Sequence, residues 1–572
     1  MLNSAYEILI RNGNDDEEPL VLRGGSMIAA LRRLRFWDRP RRIWADQCCI
    51  NQDDPVERSK QVQSMNRICR DAAHILVWLG LDPEKQAASA FGLVRELDEI
   101  LRSHCSADSP SPVRNVSELE TYLRENQKAL QALTNRAWEI GTSTPATMYW
   151  GEATVRWDTL ASVCGRLKSY HSLRSALGIG TSDISFLYRR FIVPAENTHH
   201  ANRFNLVYEL QRARHLHFSD NGDRVFAFLG HFSARSLHPL GCGPVSIAAD
   251  YTTTVEQLYI DLAVRILREN PAAAYIVLAA VQRPSSSLPS SRVRTNMSLE
   301  EAWLKGEQKL VLPSWVPDWR RSNGIILAEP ICPHRAHGDS TAKIEVLEEE
   351  DLVLRVHRVE VDTIAACSRR LVSEDFYGNL KRKRGRQIPM VEQLWGDLCR
   401  KERFNMDDIY LLTGQTAFFA FMQTLSNGCV QAAGHKSMPY HKVPDRMWLQ
   451  KAARYIVQIF GASGNVSEEV RIAAEVTQPE SDEENWSRWA TSASAGRIFA
   501  RTGRGYYVLG PAALEAEDVV CVLFGTKVPF CLRPMGRRYL LVGECYVHGL
   551  MKGEAIEMLA QNELCEKVFD IV

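Results

Sequence analysis

The chain has no net charge, no C-x-x-C pair, no Walker lysine motif, no repeat at a fixed period and no bilayer-length apolar run, and each absence removes a class of function. Lys plus Arg number 69, as do Asp plus Glu. Their balance leaves no overall field to recruit nucleic acid or an anionic membrane. The fourteen cysteines are scattered as singles apart from Cys48-Cys49, and MLNSAYEILI has no leader pattern. Buried thiols in a reducing, cytoplasmic setting are therefore expected. The most apolar stretch, AAAYIVLAAV from Ala272 to Val281, is about half of the roughly 20 residues that span a bilayer. It reads as a core helix or strand. GRGYYVLG has glycines but no strand-to-helix phosphate turn, so ATP hydrolysis has no support.

The residues that are present fit a multidomain globular protein. At about 150 residues per domain, 572 residues imply two to four units. Hydrophobic residues at 45% and charged residues at 24% exclude disorder as the dominant state. The opening alternates strand-like EPLVLRGG, helix-like SMIAALRRLRF with Ser26 as N-cap, and strand-like RIWADQCC. That alternation predicts an α/β layer with a parallel sheet. A helix start comes next, with Asp53 or Asp54 as cap, Pro55 in the first turn and Glu57 at the positive end of the dipole. Val62, Met65, Ile68, Cys69 and Ala72 then recur at helical spacing and lead into the strand AHILVWLG. Residues 43–80 thus read as a β-α-β unit, with the polar run ADQCCINQDDPVERSKQ at the carboxyl edge of a parallel strand, where α/β sheets place ligand crevices. A second helix is expected over 85–104, with Phe91, Val94, Leu97 and Leu101 on one side, before the breaker-rich loop CSADSPSPVRN.

Helical patterns dominate from about Ser117 to Tyr275, including FNLVYELQRARHL and TTVEQLYIDLAVRILREN. PSSSLPSSR from Pro284 to Arg292 reads as a linker or exposed loop. Beyond Leu312 the pattern turns to strands bounded by Gly or Pro: DLVLRVHRVEVDTI, RGYYVLG, DVVCVLFG, PFCLRPM and RYLLVGECYVHG. The expected organisation is an α/β domain over 1–170, a mainly helical region over 171–311, and a β-rich C-terminal region with interspersed helices over 312–572.

The stretch IWADQCCINQDDPVERSKQVQSMNRICRDAAHILVWLG resembles the signature of the fungal heterokaryon incompatibility (HET) domain, in which D-x-x-C-I-N-Q is followed by a helix beginning E-R-x-x-Q-V. Asp46, Cys49, Ile50, Asn51, Gln52, Glu57, Arg58, Gln61, Val62 and Met65 all fall on that pattern. GDRVFAFLG, ADYTTTVEQLY, LPSWVPDW and the terminal block from GRIFARTGRGYYVLGP onward resemble other parts of the large fungal proteins that carry the domain. The resemblance implies a role in fungal allorecognition, with growth arrest or programmed cell death as output. It also implies partners that are other incompatibility proteins or further copies of the chain, with no nucleic acid and no membrane span among the expectations. HET domains are distantly similar to Toll/interleukin-1 receptor (TIR) domains, so the implied N-terminal fold is TIR- or flavodoxin-like. Several TIR domains hydrolyse NAD with one glutamate, which makes NAD the implied substrate and leaves no resident cofactor or metal.

Two departures from the family pattern bear on that chemistry. The usual opening strand, A-L-S-Y-x-W-G, is replaced by AYEILIRNGNDDEEP, with Tyr6, Glu7 and Gly13 as remnants. The motif R-x-W-x-x-Q-E, which aligns with the TIR glutamate region, is shortened by three residues to Arg136, Trp138 and Glu139 in RAWEIGTS. On a helix such a loss rotates the downstream residues by about 300° and shortens the axis by about 4.5 Å. Lost exon ends or decay of the copy would each account for both departures.

Glu139 is the family-implied catalytic carboxylate; its bland alternative is a solvated surface group beside a tryptophan. Asp46 either takes a catalytic part by holding ribose hydroxyls or caps the following turn. Asn51, Gln52 and Arg58 are candidates for contacting the nucleotide, while the two amides serve equally well to order the loop. Glu57 reads as a first-turn dipole contact and Cys49 as a packed thiol. Cys332, His334 and His337 have crude zinc-ligand types without a fourth partner, and a metal site is not expected. Cys545 and His548 fall on opposite faces of a strand, which argues against a catalytic pair. LKRKRGR from Leu380 reads as a solvated loop.

Overall fold

The computed structural model describes residues 6–11, 17–22, 25–103, 116–134, 144–167, 178–190, 192–196, 198–285, 287–290, 310–321, 325–348, 352–376, 389–428, 445–460, 464–475 and 486–572. The chain divides into two compact units, one of Met1–Val193 with Ala248–Thr252, the other of Pro194–Ile247 with Thr253–Val572.

In the first unit, β1 (Tyr6–Arg11) and β2 (Glu17–Leu22) form an antiparallel hairpin, with Tyr6 opposite Leu22 and Arg11 opposite Glu17. EPLVLRGG therefore contributes a hairpin arm, not a parallel strand. Helix α1 (Gly25–Leu34) comes next, with Ser26 inside the helix, where a cap position was expected. RIWADQCC departs most from expectation: residues 36–45 carry no strand, and Asp46–Cys49 is a single helical turn, α2, between extended Ala45 and Ile50. Local bonds explain the turn. The Ala45 carbonyl accepts from the Cys48 and Cys49 amides, and Asp46 Oδ1 accepts from the Gln47 amide, which is how short polar side chains draw backbone away from a ladder.

Helix α3 (Pro55–Asp71) starts as its residues dictate. Asp54 is the N-cap, its Oδ1 accepting from Val56 N at 2.8 Å and Glu57 N at 3.1 Å, and Pro55 takes the first position, where no amide is needed. Its apolar stripe, Val62, Met65, Ile68, Cys69 and Ala72, is only half-buried. Strand β3 (Ile75–Trp78) pairs in parallel with β4 (Ala146–Trp150), which pairs antiparallel with β5 (Ala153–Arg156). The parallel pair is thus β3 with β4, in place of residues 43–45 with β3. Its crossover passes through α4 (Ala87–Ser103), α5 (Val116–Glu125) and α6 (Gln127–Thr134). Phe91, Val94, Leu97 and Leu101 are the buried side of α4, with Phe91 edge-on to Trp150 at 6.0 Å. Helix α7 (Trp157–Leu167) packs against α4 and closes this core. CSADSPSPVRN lies outside the described residues.

The second unit opens with short helices. Leu206–Arg212 is capped by Asn205, Val255–Glu269 by Thr254, and Ala274–Ala279, within the most apolar run, is a buried helix. PSSSLPSSR is not an exposed linker over its described part: Leu288 is in the β core, Ser285 Oγ donates to the Ala512 carbonyl at 2.7 Å, and the Pro289 carbonyl accepts from Arg533. One apolar side chain inside a polar run is enough to seat it. Beyond lie β6 (Ile344–Glu348), the 19-residue β7 (Leu352–Arg370), the two-residue β8 (Ile409–Tyr410) and β9 (Gln415–Thr416), β10 (Ile498–Thr502), β11 (Tyr507–Gly510), β12 (Val519–Leu523), β13 (Phe530–Met535), β14 (Arg538–Glu544), β15 (Tyr546–Val547) and β16 (Glu566–Ile571).

Five of these close on themselves. β7 pairs with β12, β12 with β13, β13 with β14, β14 with β16 through Tyr539 opposite Ile571, and β16 returns to β7. Only the β14–β16 contact is parallel. Past Thr363, β7 changes partner to β10, which continues through β11 to β15. Val359, Val361, Val520, Val522, Leu540 and Val542 are among the buried residues of the enclosed core. No helix among the described residues is long and apolar enough to cross a membrane.

Candidate functional site

The polar run that stood out in the sequence becomes a compact loop between α2 and α3, and its side chains bind the loop itself. Gln52 Nε2 donates to the Asp46 carbonyl at 3.1 Å, and the Ile50 amide donates to the same oxygen at 3.0 Å. Asn51 Oδ1 accepts from the Asp53 amide, while the Asn51 amide donates to Glu57 Oε1, both at 3.1 Å. Glu57 thus reaches back across the helix start as Asp54 reaches forward, much as in a capping box. Asp46, Asn51 and Gln52 are brought together, and each has one side-chain atom hydrogen-bonded to local backbone.

Arg58 faces elsewhere. Its guanidinium lies over the ring of Tyr251, 3.4 Å from the centroid. Two more residues of the same helix hold the segment around that tyrosine: Ser59 Oγ accepts from the Tyr251 amide at 3.1 Å, and Gln63 Nε2 donates to the Ala249 carbonyl at 3.3 Å. Asp250 fixes the segment from within, its Oδ1 accepting from the Thr252 amide and hydroxyl. Residues Ala248–Thr252 belong to the first unit because of this seat on α3. ADYTTTVEQLY stood out in the sequence, but a single chain gives no sign that its tyrosine meets an arginine nearly two hundred positions earlier.

The Arg58–Tyr251 pair has a measurable energy. Unfolding of Arg58→Ala, Tyr251→Ala and the double variant should show a coupling of about 0.5–2 kcal/mol, the range of a partly desolvated cation over an aromatic ring. Additive effects would mean that the stacking carries no energy.

Burial, Cys49 and the Asp46 carboxylate together raise the Cys48 thiol above its ordinary value, so the thiolate is disfavoured. Cys49 is exposed where a packed thiol was expected, because α2 leaves it on the outside of the turn. Glu139 lies outside the described residues, as do Arg136, Trp138 and LKRKRGR.

In the second unit the remaining candidates have separate partners. Burial pushes the Cys332 thiol up to about 12. His334 Nε2 is 3.2 Å from Asn427 Oδ1, and His337 Nδ1 is 3.1 Å from the Ser340 carbonyl. Among the described residues no group of three or more His, Cys, Asp or Glu is placed to hold a metal ion. Cys545 is buried beside Cys531, whereas His548 turns to Gln415 and Tyr546.

Comparison with known proteins adds to this geometry. Residues 17–140 match the family described as Heterokaryon incompatibility protein (HET), and residues 461–565 match the Het-6 beta-barrel domain. The chain is similar to Heterokaryon incompatibility protein 6, OR allele, of Neurospora crassa, at 23% identity over 651 aligned positions covering 98% of this chain and 89% of the relative. No solved structure matches it.

Proposed function

For a fungal chain that carries a HET domain at one end and a Het-6 barrel at the other, we propose a role in allorecognition: the HET domain, through self-association or contact with another incompatibility protein, arrests growth or kills the cell. The observation that carries this reading is the HET signature itself, built as an ordered loop whose helix α3 also seats the Tyr251 segment. The output we propose is NAD cleavage in a cytoplasmic setting. A carboxylate at Glu139 would stabilise the oxocarbenium-like ribosyl cation as nicotinamide departs, before water adds to the same carbon. The parallel pairing of β3 with β4 is in keeping with a TIR-like sheet. Asp46, Asn51 and Gln52 would shape the nucleotide side of that site by ordering its loop, and Arg58 would act through its hold on the Tyr251 segment.

A second reading is favoured by one observation. Asp46, Asn51, Gln52 and Glu57 all hydrogen-bond the backbone of their own loop, as a non-enzymatic module that presents a fixed surface to a partner requires.

Nicotinamide release separates the two. Purified full-length protein incubated with NAD is expected to release nicotinamide, with Glu139→Ala slower by about a hundredfold or more, the scale of removing one transition-state charge contact. No release from either protein at high concentration leaves the interaction module as the function, and equal release from both removes Glu139 from the catalytic role. Toxicity on overexpression that survives Glu139→Ala points the same way.

A further inference from the structure

We propose that the loop after α1 is a docking site for an anionic phospholipid surface, with Trp37 as its interfacial anchor. The chain's balanced totals conceal a strongly basic stretch. From Arg32 to Arg42 the sequence reads RRLRFWDRPRR, six arginines against the single acid Asp38. Residues 35–40 are all exposed, and Trp37 is 96% exposed, the most exposed of the large apolar side chains described. An indole left almost wholly in water, with six arginines within five positions of it in the chain, has no packing role among the described residues.

The base of the loop is fixed and its tip is free. Leu34 is buried, Arg41 Nη1 donates to the Leu34 carbonyl at 2.7 Å, and Arg33 donates to the Gly151 and Glu152 carbonyls while pairing with the Glu152 carboxylate. Arg39 and Arg41 lie over the Phe36 ring at 4.8 and 4.4 Å from its centroid, which stiffens the turn from which Trp37 projects. Arg32, Arg35, Arg39 and Arg42 are exposed and form no ion pair among the described residues.

This combination fits a bilayer surface better than a nucleic acid. Single-stranded nucleic acid is held by several stacking platforms along a basic groove. Here the Phe36 ring is already occupied by two arginines, and one exposed aromatic, Trp37, remains. A membrane interface asks for little more: one amphipathic ring at headgroup depth and cations around it to meet lipid phosphates and carboxylates. No residue of the nucleotide-site reading takes part, so the two ideas stand or fall separately.

Full-length protein would be sedimented with vesicles of phosphatidylcholine carrying about a third phosphatidylserine, and with phosphatidylcholine alone. Partition is expected to favour the anionic vesicles and to weaken as salt is raised. Trp37→Ala should lower it about tenfold through lost apolar contact. Arg35→Gln and Arg42→Gln should each lower it about fivefold. These side chains are exposed, so thermal melts should coincide with the parent protein. Equal binding to neutral and anionic vesicles, or undiminished binding by Trp37→Ala, overturns the proposal. So does a Trp37-dependent complex with a single-stranded oligonucleotide that anionic vesicles fail to displace.

Discussion

Taking the protein from pH 7 to pH 5 is expected to remove about 4 kcal/mol of the second unit's stability, about 2 kcal/mol from each of two buried histidines. Burial lowers both His334 and His548 from the ordinary value of 6.5 to about 4, with Lys527 adding to the effect on His334 and Lys552 to that on His548. Below pH 6.5 the unfolded chain takes up a proton at each, whereas the folded chain does so only near pH 4. Across that window the unfolded state holds more protons, so stability falls as pH falls and is fully present above it. Burial keeps the folded rings neutral, and the His548 ring finds partners without a proton added. His548 Nδ1 is 3.1 Å from the Tyr546 hydroxyl and its Nε2 is 2.7 Å from Gln415 Oε1. The neutral ring satisfies both contacts by donating from Nε2 to the Gln415 oxygen and accepting at Nδ1 from the Tyr546 hydroxyl, so it needs no charge where burial penalises one. Urea unfolding followed by tryptophan fluorescence at the two pH values tests this. His548→Gln should lose about 2 kcal/mol less than the parent on acidification; an unchanged loss would assign the acid sensitivity to other groups.

Glu544→Ala is expected to destabilise the same unit by about 3–5 kcal/mol, the cost of leaving a buried charge without its partner. Four donors converge on this carboxylate at the end of β14. Arg497 Nη2 at 2.6 Å, Gln282 Nε2 at 3.2 Å and the Leu327 amide at 2.7 Å meet Oε1, and the Ala328 amide at 3.0 Å meets Oε2. Burial pushes the Glu544 carboxyl up from its ordinary value, with Arg497 and the two amides pulling against that rise. The pair therefore adds little net stability over an apolar substitute, yet its one-sided removal strands a guanidinium and two amides away from water. Pairing Glu544→Ala with Arg497→Leu should recover part of the loss. A Glu544→Ala melting curve that overlays the parent would refute the assignment.

The legible parts of the chain were those set by near neighbours. Asp54, Pro55 and Glu57 fix the start of α3 through bonds within four residues, and the alternation after Leu312 marks strands whose bounding glycines lie beside them. Partner choice was not legible. RIWADQCC has a strand's composition, yet Asp46 and the Ala45 carbonyl satisfy the local amides and make a helical turn. EPLVLRGG forms its strand but pairs backward with β1. At the candidate site, the gathering of Asp46, Asn51 and Gln52 was readable, because all lie within one short loop. The stacking of Arg58 on Tyr251 was not, since nothing local to either residue encodes it.

The single long strand β7 has a consequence for how this protein can be divided. It forms two seams of the closed ring, against β12 and against β16, and then leaves the ring to edge a second layer with β10. β12, β13 and β14 fall inside the segment matched as the Het-6 barrel, but β7 precedes it and β16 runs past its end. A fragment cut at 461 and 565 would hold three of the five staves and expose two unpaired edges, the kind that recruit foreign strands. The structural unit of this barrel is therefore the span from β7 to β16, and any transplant or truncation must keep both ends of it.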